Sequence, residues 1–236
     1  MVGVSYLLSS RLQSDDRCGR TWATLGVKIL GCLHRFYWND KDDELKKGER
    51  CMARHGSILT KRTTGLLVID IQERINAVMK YRERVVKNTA KLISGFKILN
   101  VPIFVTEQYR KGLGPTEKPI LDLINQSTII EKMTYSCCMV QPLMDQLRSQ
   151  QIQQVAVCGI ETHVCVLQTC LDLLAEGFQV HLVTDAISSR RKLDHEAAID
   201  RMVQAGVIPT STEAILFELL EQAGTPEFKQ ISRLVK

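Results

Sequence analysis

From residue 64 onward, short apolar runs alternate with stretches whose apolar residues recur every three or four positions, and that alternation leaves few folds open. Thr64 to Asp70 is mostly apolar and ends in a carboxylate, the form of a strand buried on both faces. Arg82 to Leu99 then places Val85, Val86, Ala90, Ile93, Phe96 and Ile98 against a wet side of Arg84, Lys87, Lys91 and Lys97, which reads as an amphipathic helix. Further strands are expected at 101–106, where Pro102 falls at the start and a missing N–H does least harm, and at 127–131, 154–158, 179–184 and 207–209. Helices are expected at 140–149, 164–176, 193–205, 212–222 and 227–234. The alternation predicts an α/β fold, a three-layer doubly wound sandwich with a mostly parallel six-stranded sheet.

In such folds ligands lie beyond the carboxyl ends of the strands, where strand order reverses. The rule picks out Asp70, Glu107, Lys132, the turn from Gly159 to Cys165, and Asp185. Within that turn, Thr162 stands where a helix N-cap would, which puts Cys165 in a first helical turn. Unpaired backbone N–H groups and the positive end of the helix dipole there favour the thiolate. Taken alone, Cys165 reads better as a small buried apolar residue. Asp70 supplies a carboxylate to take its proton and Lys132 a cation to hold both charged forms, which together make nucleophilic attack on an acyl carbon a testable chemistry.

Composition narrows the partners. The net charge of +5 lies entirely in residues 1–62, and the remainder is balanced, so the main domain shows no nucleic-acid footprint. No apolar run approaches the ~20 residues needed to cross a bilayer, so a soluble chain is expected. The eight cysteines form no C-x-x-C pair, which argues against a zinc site or a disulfide framework and for a reducing compartment. Residues 1–62 lack sustained periodicity and read as a weakly structured extension ahead of a domain at 63–236. A basic, Ser-containing start allows mitochondrial targeting, Asp15 and Asp16 count against it, and Met52 is a candidate internal start, so cytoplasm is the default expectation.

Three motifs in order carry a resemblance. Leu67-Val68-Ile69-Asp70-Ile71-Gln72, Glu131-Lys132 followed by Tyr135-Ser136, and Gly159-Ile160-Glu161-Thr162-His163-Val164-Cys165-Val166 resemble the isochorismatase-like cysteine hydrolase superfamily over residues 63–236. The runs Thr106-Glu107-Gln108-Tyr109 with Lys111 to Thr116, and Thr184-Asp185-Ala186 with Ser188-Ser189-Arg190, are similar to animal isochorismatase domain-containing proteins. The resemblance implies a triad of Asp70, Lys132 and Cys165, a cis peptide between Ile160 and Glu161, and an oxyanion hole from the backbone N–H groups of Glu161 and Cys165. It also implies that the chain forms homo-oligomers.

Departures from the family bear on substrate. Nicotinamidases of this superfamily bind a metal through an Asp/His cluster after the second strand, but residues 107–119 contain neither residue, so no metal and no cofactor are expected. A Cys nucleophile points toward amide or related acyl substrates rather than vinyl-ether cleavage. Gln72, Tyr109, Lys111, Tyr135 and His163 are candidate substrate-binding residues, with His163 expected to border the pocket rather than to pair with Cys165. The expectation is a Cys-dependent hydrolase of a small molecule working through a thioester. The alternative is a binding or scaffold protein that keeps the fold without turnover.

Overall fold

The computed structural model describes residues 54–125 and 129–236; the expectations for residues 1–53, and for the start of the third strand at Ser127, lie outside them. In chain order the elements are β1 (Thr64–Ile69), α1 (Glu73–Asn76), α2 (Arg82–Ile98), β2 (Ile103–Gln108), α3 (Arg110–Leu113), α4 (Lys118–Leu121), β3 (Ile129–Lys132) and α5 (Gln141–Ser149), the last preceded by a 3-10 turn at Cys137–Met139. Then follow β4 (Gln154–Ile160), α6 (Leu167–Ala175), β5 (Gln179–Ser188), α7 (Lys192–Gln204), β6 (Ile208–Thr210), α8 (Thr212–Leu220) and α9 (Pro226–Val235). Every pairing in the sheet is parallel, and the strand order is β3-β2-β1-β4-β5-β6. The chain winds outward from β1 through β2 to β3, then returns to lay β4 on the other side of β1. The reversal therefore falls between β1 and β4.

Strand residues alternate between two cores, as a sheet covered on both faces requires. Leu66 and Val68 of β1 pack with Leu92, Ile93 and Phe96 of α2 and with Ile215, Leu216 and Leu219 of α8. Leu67 and Ile69 face the other way, onto Leu143 and Leu147 of α5, Cys170 and Leu173 of α6, and Met202 of α7. The packed domain reaches back at least to Arg54. Leu59 is fully buried and donates its N–H to Glu218 Oε2 at 3.0 Å, so residues 54–62 belong with the domain rather than with the extension. Among the described residues, no helix is long and apolar enough to cross a membrane.

Two local expectations change. The helix after β4 opens with a π turn, Thr162–Val166, before α6, and its N-cap residue is Glu161. Thr162 is already inside the helix, and its hydroxyl is used elsewhere, on His195 Nδ1 at 2.9 Å. The fifth strand runs on to Ser188, because its register against β4 slips at Gly159. Asp185 is therefore inside β5 rather than at its end. Its Oδ1 accepts from the N–H and the hydroxyl of Thr212, both at 2.9 Å, and so serves the N-terminus of α8 instead of the ligand end of the sheet.

Candidate active site

The strand-order reversal brings two chain segments together that are almost a hundred residues apart in sequence. Ile69 of β1 is in register with Gly159 of β4, and a Cβ on Gly159 would stand 2.1 Å from the Ile69 carbonyl oxygen. Gly159 has φ +130, where side chains are rarely tolerated, so this close approach requires glycine on two counts. Just past these partners, Asp70 takes a left-handed conformation, φ 52, which aspartate tolerates better than most residues. Its N–H still donates to the Thr106 carbonyl at 3.2 Å, while its own carbonyl accepts from Gln72 at 2.8 Å, and β1 ends in a tight turn. On the β4 side, the Ile160–Glu161 peptide is cis, and the π turn that follows carries Cys165.

Asp70, Lys132 and Cys165 meet at this point. Lys132, the last residue of β3, reaches back under β2 and sets its Nζ 2.7 Å from Asp70 Oδ2, with both side chains almost fully buried. The same ammonium donates to Gln108 Oε1 at 2.7 Å and to the carbonyls of Thr134 and Tyr135, both at 3.1 Å. Four oxygens surround three N–H protons, so Asp70 Oδ2 shares the ammonium with three other acceptors. The second carboxylate oxygen, Oδ1, accepts from the Thr106 hydroxyl at 2.7 Å. The Cys165 thiol adjoins the same carboxylate: hydrogen bonding from the thiol favours the Asp70 carboxylate, while the carboxylate charge and that bond oppose the Cys165 thiolate.

Burial governs the protonation of all three. It pushes Asp70 above the usual carboxylate range, with Lys132 pulling only part of the way back. It is the largest influence on Lys132 and opposes the charged ammonium, but the Asp70 carboxylate together with Cys137 and Cys165 outweighs it and Lys132 is held above its ordinary value. Cys165 is raised well beyond an ordinary thiol, first by burial and then by the Asp70 charge. The thiolate expected from helix-end electrostatics is therefore not the resting form. The helix dipole acts over one π turn, whereas desolvation and an adjacent carboxylate act directly on the sulfur. Burial and the adjacent carboxylate thus both favour a proton on sulfur in the cluster as it stands. Cys137 lies beside the cluster, 3.8 Å from the Thr106 hydroxyl, and burial pushes it up to about 12.

The remaining candidates divide. Gln72 is fully buried; its Nε2 donates to the Gly114 carbonyl at 2.6 Å and its Oε1 accepts from the Gln108 N–H at 2.8 Å. Both ends of its amide are engaged in bracing loops, so it is a strut rather than an open substrate contact. Tyr109 and Lys111 line a recess of about 300 Å³ with Arg110, Glu131 and Met133 beyond the ends of β2 and β3. Tyr135 contributes its carbonyl to Lys132 while its ring stays exposed. His163 is half-buried, its Nδ1 3.0 Å from Ser189 Oγ and its Nε2 3.9 Å from Asp194, so it points to the β5–α7 connection. Glu107 is buried and holds the following loop, accepting from the Thr116 N–H and hydroxyl and from Arg110, each at 2.7 Å. Thr106 and Gln108, which steady Asp70 and Lys132, stand out in the sequence only within a run that carries the resemblance. Their role follows from their places at the end of β2, between β1 and β3.

Comparison with known proteins agrees with this fold. The isochorismatase domain model matches residues 64–214. A secreted isochorismatase effector of Phytophthora sojae is 41% identical over 177 residues, covering 72% of this chain and 83% of that protein. The isochorismatase domain-containing protein 1 of Salmo salar is 38% identical over 174 residues, which are 74% of this chain and 61% of that relative's length. Among solved structures, the MAR1 ribonuclease of Caenorhabditis elegans superposes with a TM-score of 0.71 at 39% identity, covering 75% of this chain and 91% of that one.

Proposed function

This chain belongs to the isochorismatase family, and on that premise we propose that it is a cysteine-dependent, metal-independent hydrolase of a small amide-type substrate. The observation that carries the reading is the meeting of Asp70, Lys132 and Cys165 in one buried cluster at the strand-order reversal. In the proposed reaction Cys165 Sγ attacks the substrate carbonyl carbon as Asp70 takes the thiol proton. The C–N bond then breaks, the protonated Asp70 gives its proton to the departing amine, and a thioester remains on Cys165. Water attacks the thioester with Asp70 again as base, releasing the acid and restoring the thiol. Lys132 stays charged throughout and limits how far burial raises Asp70. The backbone N–H groups of Glu161 and Cys165 are the proposed donors to the oxyanion.

A panel of small amides and esters, run with Cys165→Ala as control and with intact-mass detection of an acyl adduct, tests this reading. Turnover that survives in the variant moves the chemistry elsewhere, and tight binding with no turnover of any member supports the scaffold alternative. The name borne by the Caenorhabditis elegans relative makes RNA the control substrate, and RNA cleavage that depends on Cys165 would replace the amide reading.

Self-association belongs to the same proposal, since Met133, Tyr135 and Met139 expose apolar side chains along one connection. Sedimentation that finds a monomer at every concentration would reject it. A cytoplasmic location is proposed as well, to be checked by fractionating cells that express the full chain or a chain starting at Met52.

A further inference from the structure

Three consecutive side chains at the nucleophile turn are all tied to one short stretch of chain. The Glu161 carboxylate accepts from Arg190 Nε at 3.2 and 3.0 Å and from the Arg190 backbone N–H at 3.1 Å. Thr162 Oγ1 meets His195 Nδ1 at 2.9 Å, and His163 Nδ1 meets Ser189 Oγ at 3.0 Å. Residues 189–195 form the connection from β5 into α7, and nothing in the reaction outlined above uses them. Two of these ties join a hydroxyl to an imidazole, partly or wholly buried. The third is different in kind, because it joins a nearly buried carboxylate to a guanidinium whose side chain is 57% exposed.

A carboxylate taken out of water is costly unless charge and hydrogen bonds replace what water supplied. Arg190 provides that replacement from the solvent side, and so fixes where the Glu161 side chain lies. The opposite side of the same residue is held as well: the Glu161 carbonyl accepts from Val164 at 3.0 Å and from Val166 at 3.3 Å. With its side chain pinned on one side and the following peptide held through its carbonyl on the other, the Glu161 Cα is fixed, and little rotation about its N–Cα bond is left to the preceding peptide. That preceding peptide carries the Glu161 N–H, one of the two groups proposed to receive the oxyanion.

We propose that Arg190 is a positioning residue for the oxyanion site, orienting the backbone N–H of Glu161 through the Glu161 carboxylate. The proposal rests on the reading of Cys165 as the nucleophile. Arg190 need touch neither the substrate nor the sulfur. Its effect should be felt only in steps where negative charge develops on a carbonyl oxygen.

Two alkylating agents separate that effect from a general loss of shape. When Cys165 adds to acrylamide, a sulfur electron pair forms the S–C bond to the terminal carbon and the C=C π pair moves onto the amide, leaving an enolate with charge on oxygen. The thiol proton, passed through Asp70, ends on the α-carbon. With iodoacetamide, sulfur displaces iodide, and the charge leaves on iodide instead. The ratio of the two rates at Cys165 therefore reads stabilisation of the oxygen and cancels thiol access and ionisation.

The measurement uses the full chain with peptide-level mass spectrometry, comparing wild type with Arg190→Ala and Arg190→Lys. Removing an oxyanion donor outright costs roughly 100-fold or more, so a misaimed donor should lower the acrylamide rate by about tenfold while the iodoacetamide rate holds within about twofold. Arg190→Lys keeps the charge but not the Nε donor and should fall between, which also covers a failure of Arg190→Ala to fold. Guanidinium added at tens of millimolar should restore part of the acrylamide rate in Arg190→Ala and none of the iodoacetamide rate, since the site it would fill opens to solvent. Equal loss in both rates, or no loss in either, overturns the positioning role. A wild-type Cys165 that reacts with acrylamide no faster than Cys138 overturns the nucleophile reading itself, and this proposal with it.

Discussion

Replacing Lys132 with methionine keeps the length of the side chain and removes its charge, which isolates what the ammonium does for Asp70. Two losses follow. The hydrogen bonds to Gln108 Oε1 and to the carbonyls of Thr134 and Tyr135 disappear, and the Asp70 carboxylate is left buried without its cation, 2.7 Å away in the wild type. Removing one partner of a buried ion pair costs about 3–5 kcal/mol at neutral pH, a large share of the roughly 5–15 kcal/mol that holds a domain folded.

The first loss is independent of pH, whereas the second is not. Asp70 is already raised in the folded chain, by burial above all, and Lys132 is what opposes that rise. Without the cation its folded pKa climbs further. A folded carboxyl whose pKa lies above its unfolded value holds a proton that unfolding releases, so its stabilising effect is fully present below the unfolded value and is lost as pH rises through the folded one. Lys132→Met should therefore lose stability as pH rises from the ordinary aspartate value of 3.8 toward neutrality, over a wider window than wild type. Its slope approaches but does not exceed about 1.4 kcal/mol per pH unit. Urea unfolding between pH 4.5 and 7.5 measures this, with an unchanged m-value as the check that the same surface is exposed. The Asp70→Asn/Lys132→Met double variant should be nearly flat across the same range. A gap between wild type and Lys132→Met that does not vary with pH would refute the argument, since it would mean that Asp70 does not sense Lys132.

Other consequences can be measured directly. Gly159→Ala places a methyl group against the Ile69 backbone at positive φ and should cost about 2–5 kcal/mol or abolish soluble expression; a thermal midpoint near wild type would contradict the close approach of β1 and β4. Thr106→Val removes the hydroxyl bonded to Asp70 Oδ1 without changing volume much, should cost about 1–2 kcal/mol, and should move the acid limb of any kcat/KM profile to higher pH, because a hydrogen bond that favours the carboxylate is gone. Iodoacetamide alkylation of Cys165 should rise about tenfold per pH unit through pH 9 without levelling, as its thiol is raised by burial and by Asp70; a plateau below pH 8 would mean that the sulfur rests as a thiolate.

Much of the architecture is legible from one sequence because the sheet is buried on both faces, which forces continuous apolar runs such as Leu66 to Ile69 to stand out between amphipathic helices. The order of strands is another matter, and so is the use of Asp185. Where β5 ends depends on a register slip opposite Gly159, a property of the pairing that neither strand shows alone. The short helices after β1 and β2 were equally hidden, since four residues are too few for periodicity. At the site, the residues that carry charge were visible as types at strand ends. The roles of the polar groups Thr106, Gln108 and Arg190, which the sequence shows only within runs that carry the resemblance, are hidden because their partners lie in other strands and connections. The ionisation of Cys165 is hidden for a related reason: helix position can be read from sequence, but desolvation follows from everything packed around the sulfur.

Lys132 does more than balance a carboxylate. By donating to the carbonyls of Thr134 and Tyr135 it also fastens the start of the connection that carries Met133, Tyr135 and Met139, which border the ligand end of the sheet. One ammonium thus ties the ionisation of Asp70 to the shape of a neighbouring loop. A substitution that reshapes residues 133–136 is therefore expected to move the ionisation of Asp70 as well, and one that relocates the ammonium to loosen the loop.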